Sequence, residues 1–511
     1  MEFSFVDYVV IFVYLVGVAY IGVRIAGQQA STVDYFLGGH DIPWWAVLFS
    51  VVATETSTLT FISVPAVAYG GNLTFLQITL GYILGRIIVS LLFLPSYVEG
   101  NMTTAYQFLK ERFGSAMRNA ASTTFMVTRL LADGVRLFAT AIPLAIIMRL
   151  GGAFMGWSDF EVYLLAIAAI AVVTLIYTLI GGIKAVVWMD VMQMAVYVGG
   201  AIFAGAIMIS DLPEGIGGTL SMAAEADKLQ LFDFGFDLSF TEFIAQPYTF
   251  FTALIGGAVF SVASHGTDQL IVQRLLTTRN TKNSQKALVW SGVVVALQFG
   301  LFLFIGLLLY AFYDAQSANE LGLATNDEIF AKFIVEELPI GFSGLIVASL
   351  FAAAMSSLSS SLNSLASSTT FDLYKPYFGR GNTQGEDLYA SRIITVVWAI
   401  ILTGSAFFFA FLQLQEGERP AVVELGLGIA SYTYGGLLGA FLLGRLFTKP
   451  DKQDAMIGFF AGLISLLFMV EGPIHNLLPG EPLAIAWPLY TLVGSLIVVV
   501  VGSLSARIRN H

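Results

Sequence analysis

Long apolar runs alternate with short polar connections over the whole chain. Thirteen of these runs are about as long as a helix that crosses the roughly 30 Å hydrocarbon core of a bilayer. The pattern therefore predicts an all-α polytopic membrane protein with about 13 transmembrane helices. The predicted spans cover residues 8–25, 44–70, 75–97, 117–148, 160–181, 184–210, 247–271, 286–313, 341–366, 388–413, 421–446, 454–471 and 485–506.

Two of the spans are interrupted by polar residues. The run ATETST begins at Ala53 in span two, and the run SHGTDQ begins at Ser264 in span seven. The two spans lie five apart and so cross the membrane in opposite directions, which predicts two inverted five-helix repeats, each opening with a broken helix. Unwound backbone inside a membrane is tolerated only where it lines a cavity, so the breaks locate a substrate site. The alternative is that these polar residues only hold helices together.

The predicted repeats divide the chain into three parts. Residues 34–450 form the inverted-repeat core, with a first repeat at about 44–210 and a second at about 247–446. One extra helix precedes the core in residues 1–33, and two helices follow it in residues 451–511. The connections 211–246 and 314–340 contain no recognisable motif, and we interpret them as lids or short surface helices.

Composition agrees with the hydropathy pattern. Hydrophobic residues make up 57% of the chain, charged residues 12%, and the mean hydropathy is +0.80, which excludes a soluble globular domain. No cysteine is present, so disulfides and thiolate metal sites are excluded. Four histidines are too few for a zinc cluster. The first apolar run lacks the basic start and small-residue cleavage site of a secretory signal, and we expect it to be retained.

The distribution of basic residues predicts the orientation in the membrane. With the N-terminus outside, 16 of the 24 Lys and Arg residues fall on the cytoplasmic side and four fall outside. Cytoplasmic loops are enriched in Lys and Arg, so we expect an outside N-terminus and a cytoplasmic C-terminus. The expected location is the plasma membrane, and specifically a bacterial inner membrane.

The ninth span has a polar face made of hydroxyls. In the segment FAAAMSSLSSSLNSLASS, which begins at Phe351, Ser356, Ser359 and Ser360 share one side at 100° per residue. Hydroxyls without charge suit a surface that is buried in protein or lines a small wet cavity. Two interpretations remain open here. Small residues let membrane helices pack closely, whereas hydroxyl oxygens suit Na+, a hard cation, if a carboxylate is nearby.

Asp190 is the candidate carboxylate for such a site. It lies in span six about two turns from the cytoplasmic end, where burial is costly unless the charge is paired or binds a cation. Lys184 is not on the same face and can extend to the interface, so it is only a partial partner. A structural salt bridge with another residue is the alternative.

Other ionisable residues lie near the two breaks. Glu55 has no basic neighbour within a turn, which favours a role facing the substrate. Arg129, Asp133 and Arg136 share a face of span four, where they form either a self-neutralised ladder or a ligand-facing set. A lone histidine such as His265 is more often a hydrogen-bonded structural residue. The DQLIVQR run after the second break is compatible with a polar gate or with a cytoplasmic helix cap.

Four segments together resemble the sodium/solute symporter family, which includes sodium-coupled glucose, proline, pantothenate and sialic acid transporters. They are DYFLGGHDIPWWAVLFSVVAT, GGIKAVVWMD, TDQLIVQR and FAAAMSSLSSSLNS, and the likeness runs from about residue 34 to 450. The resemblance implies a LeuT-like five-plus-five inverted repeat. It also implies Na+-coupled secondary active symport of a small polar solute by alternating access.

The resemblance also implies positions for the binding sites. The main Na+ site falls on the carbonyls of Ala53, Thr56 and Ala353 and the hydroxyls of Ser356 and Ser357. A second Na+ site, found in some members, falls on Asp190 with Ser356, Ser359 and Ser360. The family's solute pocket falls on Glu55, Ser57, Thr60, Gln77, Asp133, Ser264 and His265, to which we add Arg136.

This chain departs from its sugar-transporting relatives in the pocket. It has Glu55 in place of a neutral amide and His265 in place of an aromatic residue. Asp133 replaces the arginine that binds the carboxylate of sialic acid, and Arg136 follows one turn later. The solute therefore stays open among an amino acid, an amine, a sugar and a carboxylate.

The expected partners are Na+, a small polar solute and the lipid bilayer, with no nucleic acid and no obligate protein partner. An enzyme is not expected, because no histidine and acid are placed near Ser356 to activate a nucleophile. Within transport, the alternative is a proton-coupled or cation-independent carrier of the same fold. Outside transport, it is a sensor or channel.

Overall fold

The computed structural model describes residues 4–25, 27, 29–150, 152, 154, 156–416, 422–469 and 483–509. Within these ranges the regular secondary structure is helical, with no strand. Nine of the described helices are long and apolar enough to cross a membrane, or up to eleven if each of two bent pairs is one span. An all-α multi-pass architecture is thus confirmed, and the count of 13 spans stays a prediction.

The first half of the chain forms nine α-helices, with 3₁₀ turns at Gly38–His40 and Thr74–Gln77. The helices are α1 (Phe5–Ile25), α2 (Thr32–Leu37), α3 (Trp44–Glu55), α4 (Thr58–Gly70), α5 (Ile78–Leu92), α6 (Leu94–Glu99), α7 (Tyr106–Phe113), α8 (Ser115–Leu150) and α9 (Asp159–Asp211).

Helix α9 combines two predicted spans. Its 53 residues would extend about 80 Å at 1.5 Å per residue, more than twice the thickness of a bilayer core. Gly182 interrupts it with φ 55° and ψ −154°, between the spans predicted at 160–181 and 184–210. A Cβ there would lie 2.4 Å from the Tyr35 carbonyl oxygen, so both the backbone angles and the close approach require glycine.

The second half begins with short helices in the connection 211–246 and continues with long ones. The helices are α10 (Gly215–Glu225), α11 (Phe240–Ala245), α12 (Phe250–Gly266), α13 (Gln269–Leu275), α14 (Thr281–Phe312), α15 (Asp327–Glu336), α16 (Phe342–Ser368), α17 (Lys375–Tyr377), α18 (Gln384–Glu416), α19 (Val422–Leu446), α20 (Lys452–Met469) and α21 (Tyr490–Arg509). A π-helical turn at Thr369–Tyr374 follows α16, and a 3₁₀ turn at Trp487–Leu489 precedes α21.

Both predicted helix breaks are present. Thr56 (φ −78°, ψ 124°) and Ser57 (φ −119°, ψ 173°) are extended between α3 and α4. Helices α12 and α13 bend by 66° across Thr267 and Asp268. Helix α16, which has the serine face, is buried along almost its whole length. Its uncharged polar side therefore faces protein instead of lipid or open water.

Close contact between α5 and α12 brings the first repeat against the second broken helix. A Cβ on Gly85 would lie 2.4 Å from the Ala258 carbonyl oxygen, so glycine is needed at this crossing. Small residues at such a crossing let two membrane helices approach closely. The next residue, Arg86, is consequently held inside the protein and is fully buried.

Lys228 fixes the connection 211–246 to the end of the first broken helix. Its Nζ donates hydrogen bonds to the carbonyls of Tyr69 at 2.6 Å and Gly71 at 3.0 Å, and lies 4.3 Å from the ring centroid of Tyr310. The last carbonyls of a helix have no partner within it, and positive charge is favoured there. The buried ammonium of Lys228 therefore caps α4.

We expect Lys228→Met to lower the free energy of unfolding by about 1.5–3 kcal/mol, because it removes charge-assisted hydrogen bonds to buried carbonyls. Thermal unfolding of the purified protein in detergent measures the change. The matched control is Lys332→Met, which removes only a partly exposed pair with Glu336 at 2.8 Å and should shift stability by less than about 1 kcal/mol. Equal effects of the two substitutions would contradict the capping role.

Candidate functional site

The first helix break faces the serine side of α16. Ser357 Oγ donates to the Thr56 carbonyl at 3.4 Å, and Thr58 Oγ1 donates to the Leu350 carbonyl at 3.0 Å. Ala53 and Ala353, the other two predicted carbonyl ligands, are fully buried. The structure thus brings the Thr56 carbonyl and the Ser357 hydroxyl together at the predicted main Na+ site.

Oxygen atoms of hydroxyls and carbonyls are the ligands available at this break. Within the described ranges, no group of three or more His, Asp or Glu side chains is placed to hold a metal ion. Na+ differs from the transition metals in binding well to neutral oxygens. The arrangement suits a weakly held alkali cation and does not suit zinc or iron.

Asp190 lies on the other side of the serine helix and is fully buried. Its Oδ1 accepts from Ser356 Oγ at 2.8 Å, and its Oδ2 accepts from Ser50 Oγ at 2.5 Å. The structure therefore places Asp190 against α16, as the sequence predicted. Ser356 is directed towards this carboxylate, whereas its neighbour Ser357 is directed towards the break.

A buried guanidinium completes the Asp190 cluster. Arg274 Nη2 lies 3.3 Å from Asp190 Oδ2 and also donates to Ser360 Oγ, and its Nε donates to Ser50 Oγ at 2.9 Å. The partner of Asp190 is thus Arg274 of α13, and not Lys184. Two of the residues predicted for the second Na+ site, Asp190 and Ser360, are engaged by this arginine.

Glu55, the last residue of α3, is held by two side chains. Its Oε2 lies 2.5 Å from Arg86 Nη2, and its Oε1 lies 2.7 Å from His265 Nε2. Arg86 also donates to Ser291 Oγ at 2.6 Å, and His265 Nδ1 lies 2.8 Å from Ser264 Oγ. The cluster joins α3, α5, α12 and α14, and it links the two broken helices.

A third buried arginine organises the second break. Arg129 Nη2 donates to Asp268 Oδ2 and to the Tyr434 hydroxyl, and its Nη1 lies 3.4 Å from Asp133 Oδ1. Asp133 Oδ2 also accepts from Ser361 Oγ at 2.6 Å. Both partners of the predicted ladder on α8 are therefore directed into contacts with other helices.

Arg136 differs from Arg86, Arg129 and Arg274 in its contacts. It is half-buried, one turn beyond Asp133 on α8, and no side chain in the described part of the protein forms a hydrogen bond or ion pair with its guanidinium. An intramembrane charge without a partner marks a functional site, because its burial is otherwise costly. Among the described residues, the guanidinium of Arg136 is therefore not engaged by another side chain.

The remaining residues predicted for the pocket differ in whether their side chains are already held by hydrogen bonds. The Gln77 amide donates to the Tyr248 carbonyl at 2.9 Å and accepts from the Asp233 amide at 3.2 Å, so it holds the segment that leads into α12. Thr60 Oγ1 accepts from the Ser57 amide at 3.4 Å at the start of α4. These contacts leave the hydroxyls of Ser57 and Thr60 next to the break, whereas Gln77 is structurally engaged.

Sequence reasoning missed the site roles of Arg86 and Arg274. A signal existed, since Arg86 is a single charge within the apolar run LGYILGRIIVS and such residues mark functional or paired positions. The partners are far apart in sequence: Glu55 and Arg86 are 31 residues apart, and Asp190 and Arg274 are 84 apart. Local spacing therefore gave no indication of the pairs.

Comparison with known proteins places these features in a family. The model of the sodium:solute symporter family matches residues 35–462. The sodium/sialic acid symporter NanT of Aliivibrio fischeri is 30% identical over 508 residues, covering 99% of this chain and 94% of that protein. A sodium/glucose cotransporter of Vibrio parahaemolyticus is 28% identical over 526 residues, covering 99% of this chain and 92% of that protein.

Solved structures agree on the fold. A substrate-bound, outward-open Na+-coupled sialic acid symporter gives a TM-score of 0.83 at 28% identity, over 99% of this chain and 98% of that one. The nucleobase-cation-symport-1 transporter Mhp1 gives a TM-score of 0.51 at 13% identity, over 94% and 95% of the two chains, and shows the fold alone. The predicted LeuT-like inverted-repeat fold is confirmed.

The Glu55 cluster yields a double-mutant test. Arg86→Met should lower the free energy of unfolding by about 1.5–3 kcal/mol, because it leaves the partly buried Glu55 carboxylate without its ion-pair partner. Adding Glu55→Gln should recover most of that loss, since the unpaired charge is removed. Thermal unfolding of the two single variants, the double variant and the wild type measures the coupling, and purely additive effects would contradict a direct pair.

Proposed function

The chain belongs to the sodium:solute symporter family, and on that premise we propose that it takes up a small carboxylate-bearing solute together with Na+. Na+-coupled solute symport follows from the family match and from relatives similar over nearly the full chain. The protein is accordingly a multi-pass membrane transporter and not an enzyme. The solute class, the ligand residues and the orientation are our proposals.

For the main Na+ site we propose the carbonyls of Ala53, Thr56 and Ala353 with the hydroxyls of Ser356 and Ser357. The contact between Ser357 Oγ and the Thr56 carbonyl supports this, because it joins the break of α3 to the serine helix of the opposite repeat. The affinity for a cation between these oxygens changes when one repeat moves against the other, because the distances between its ligands change. Na+ binding and alternating access are thereby coupled.

For a second Na+ site we propose Asp190 with hydroxyls of α16, including Ser356, Ser359 and Ser360. The position of Asp190 against Ser356 Oγ supports it. Arg274 competes for the same carboxylate and for Ser360. Occupancy by Na+ therefore requires either displacement of the guanidinium or a ligand set that leaves Ser360 with Arg274.

The charge balance around the breaks favours an anionic solute. Glu55 lies between Arg86 and His265, and Asp133 lies between Ser361 and Arg129. These carboxylates have their partners, so neither is free to attract a cationic solute. The guanidinium of Arg136, which has no side-chain partner among the described residues, is the observation that carries the proposal, since arginine binds carboxylates with two parallel hydrogen bonds.

Among carboxylates, a sialic acid is the first candidate, because two Na+-coupled sialic acid symporters match 99% of this chain at 29–30% identity. Sodium-coupled monocarboxylate transporters are 27–28% identical, and simple monocarboxylates are the next class to test. We propose that Ser57, Thr60, Gln77, Ser264 and His265 line the pocket. Glu55 and Asp133 then act by positioning the side chains that they bind. A direct contact of Glu55 with the solute stays a prediction.

We also propose the orientation and the domain limits. The excess of Lys and Arg on one side supports an outside N-terminus and a cytoplasmic C-terminus in a bacterial inner membrane. The transport core is residues 34–450, with repeats at about 44–210 and 247–446. Residues 1–33 and 451–511 add one and two helices outside the repeats.

Ser357→Ala should raise the Na+ concentration for half-maximal uptake, because it removes an oxygen ligand that water cannot easily replace in a buried site. The loss of about 1 kcal/mol of Na+ binding free energy corresponds to an increase of about fivefold in that Na+ concentration. Uptake by proteoliposomes over a range of Na+ concentrations measures it. Ser349→Ala is the control, since Ser349 is a buried serine of the same helix whose Oγ donates to the Val196 and Leu345 carbonyls and not to the break. An unchanged Na+ dependence in folded Ser357→Ala would contradict the site.

Arg136→Gln should raise the KM for a carboxylate solute about 10- to 150-fold, the equivalent of about 1.5–3 kcal/mol for a charge-assisted hydrogen bond. The Na+ dependence at saturating solute should stay near that of the wild type. A thermal-shift screen of sialic acid, monocarboxylates, glucose and amino acids with Na+ or K+ first identifies the solute. Arg149→Gln, which removes a half-exposed arginine paired with Asp159 at 3.0 Å, is the control. The proposal would be contradicted if a neutral solute stabilised the protein and its affinity were the same in the wild type and in Arg136→Gln.

A further inference from the structure

The last part of the connection 211–246 exposes large aromatic side chains. Phe236 is 83% exposed and Phe240 is 78% exposed, and Phe232 and Phe234 are exposed as well. The rings of Phe232, Phe234 and Phe236, here called the aromatic patch, stack in a row with centroids 6.3 Å and 5.5 Å apart. A contiguous apolar patch on a protein surface marks contact with another protein or with a membrane.

The residues between these rings turn towards the protein. The Asp233 amide donates to Gln77 Oε1 at 3.2 Å, and the Asp233 carbonyl accepts from the Phe250 amide at 2.6 Å. Asp233 Oδ1 accepts from the Gly235 amide at 2.9 Å, and Gly235 is buried. Water favours the opposite arrangement, because apolar surface exposed to it is costly. Rings that point outward beside polar groups that point inward therefore suit an apolar surrounding.

The aromatic patch continues onto a membrane helix. The ring centroid of Phe234 lies 5.2 Å from that of Phe250, and the Phe250 centroid lies 5.3 Å from that of Phe251, in the first turn of α12. Phe251 is exposed, and so is Ile255 one turn further along. Helix α12 belongs to a bent pair that is long and apolar enough to cross a membrane. The patch therefore lies at the edge of a surface that faces lipid.

The charge of this region does not suit an anionic partner. Residues 229–258 contain no Lys or Arg, and their acidic residues are Asp233, Asp237 and Glu242. Nucleic acids and anionic lipid headgroups are attracted by Lys and Arg. Glu242 is also held at the start of α11, where it accepts from Ser239 Oγ at 2.6 Å. Binding therefore depends on the apolar surface of the rings, which favours the boundary between headgroups and acyl chains.

We propose that residues 231–240 lie in the interface of the bilayer, where the aromatic patch and Phe240 insert between the lipid headgroups. Apolar side chains at such an interface reach roughly 5–10 Å into the boundary between headgroups and acyl chains. This part of the connection is then attached to the membrane and is not a lid in open water. Because Lys228 of the same connection caps α4, the bilayer also holds the end of the first broken helix. The inference goes beyond the proposed function, since it depends on neither the solute nor Na+.

Spin labels at single introduced cysteines test the position of this segment. The chain has no cysteine of its own, so Phe236→Cys and Phe240→Cys each provide one labelling site. In phosphatidylcholine proteoliposomes, molecular oxygen concentrates among the acyl chains and a neutral nickel chelate stays in water. We expect the ratio of oxygen to nickel collisions at both sites to be several-fold higher than at Asn319→Cys, and closer to that at Ile255→Cys. Asn319 is an exposed polar residue of the connection 314–340, and Ile255 is exposed on α12.

Each other outcome overturns the inference. A collision ratio as low as at Asn319→Cys would place the segment in water. Poor access of both oxygen and nickel would mean that protein covers it, as in contact with a second copy of this chain. A ratio that rises only when phosphatidylglycerol is added would replace apolar insertion by electrostatic attraction. If Phe236→Cys does not fold, Phe240→Cys decides. An absent Na+ response would contradict the proposed function and leave this test unaffected.

Discussion

Unpaired backbone in a water-poor interior is the constraint on which the structure depends. At the first break, the extended residues Thr56 and Ser57 interrupt the helical hydrogen bonding between α3 and α4. Such carbonyls need hydrogen-bond donors or a cation, because each unsatisfied buried polar group costs about 2–7 kcal/mol. The serine side of α16 supplies the oxygen-rich surface opposite the break. A Na+ ion between the break and the serine side of α16 would be bound by oxygen atoms of both. Its affinity would therefore depend on the distance between them.

Charge pairing across helices gives the second level of organisation. Three buried arginines, Arg86, Arg129 and Arg274, each contact a carboxylate from a different helix. Breaking such a pair is far more damaging than its net contribution suggests, because an uncompensated charge remains in the interior. These pairs hold the two broken helices to their neighbours, whereas Arg136 has no side-chain partner among the described residues.

Sequence patterns predicted much of this arrangement and missed a definite part of it. Hydropathy and the two polar interruptions predicted the helical architecture and both breaks, because these are local features of composition and period. The serine face of α16 and its proximity to Asp190 also followed. The partners of Glu55 and Asp190 did not, since Arg86 and Arg274 are brought to them only by helix packing, as at the Gly85 crossing with α12. Ladder spacing on α8 predicted the pair of Arg129 and Asp133, which is present at 3.4 Å. It gave no indication of the hydrogen bond that Ser361 of α16 donates to Asp133.

Equilibrium binding of radioactive sodium to the purified wild-type protein, without solute and at constant ionic strength, tests the central claim most directly. We expect saturable binding of at least one Na+ per chain, displaced by unlabelled Na+ and not by an equal concentration of K+. We also expect tighter Na+ binding when the solute is added, because coupling between two ligands is reciprocal. Absence of saturable binding, or displacement by K+ as effective as by Na+, would contradict the claim.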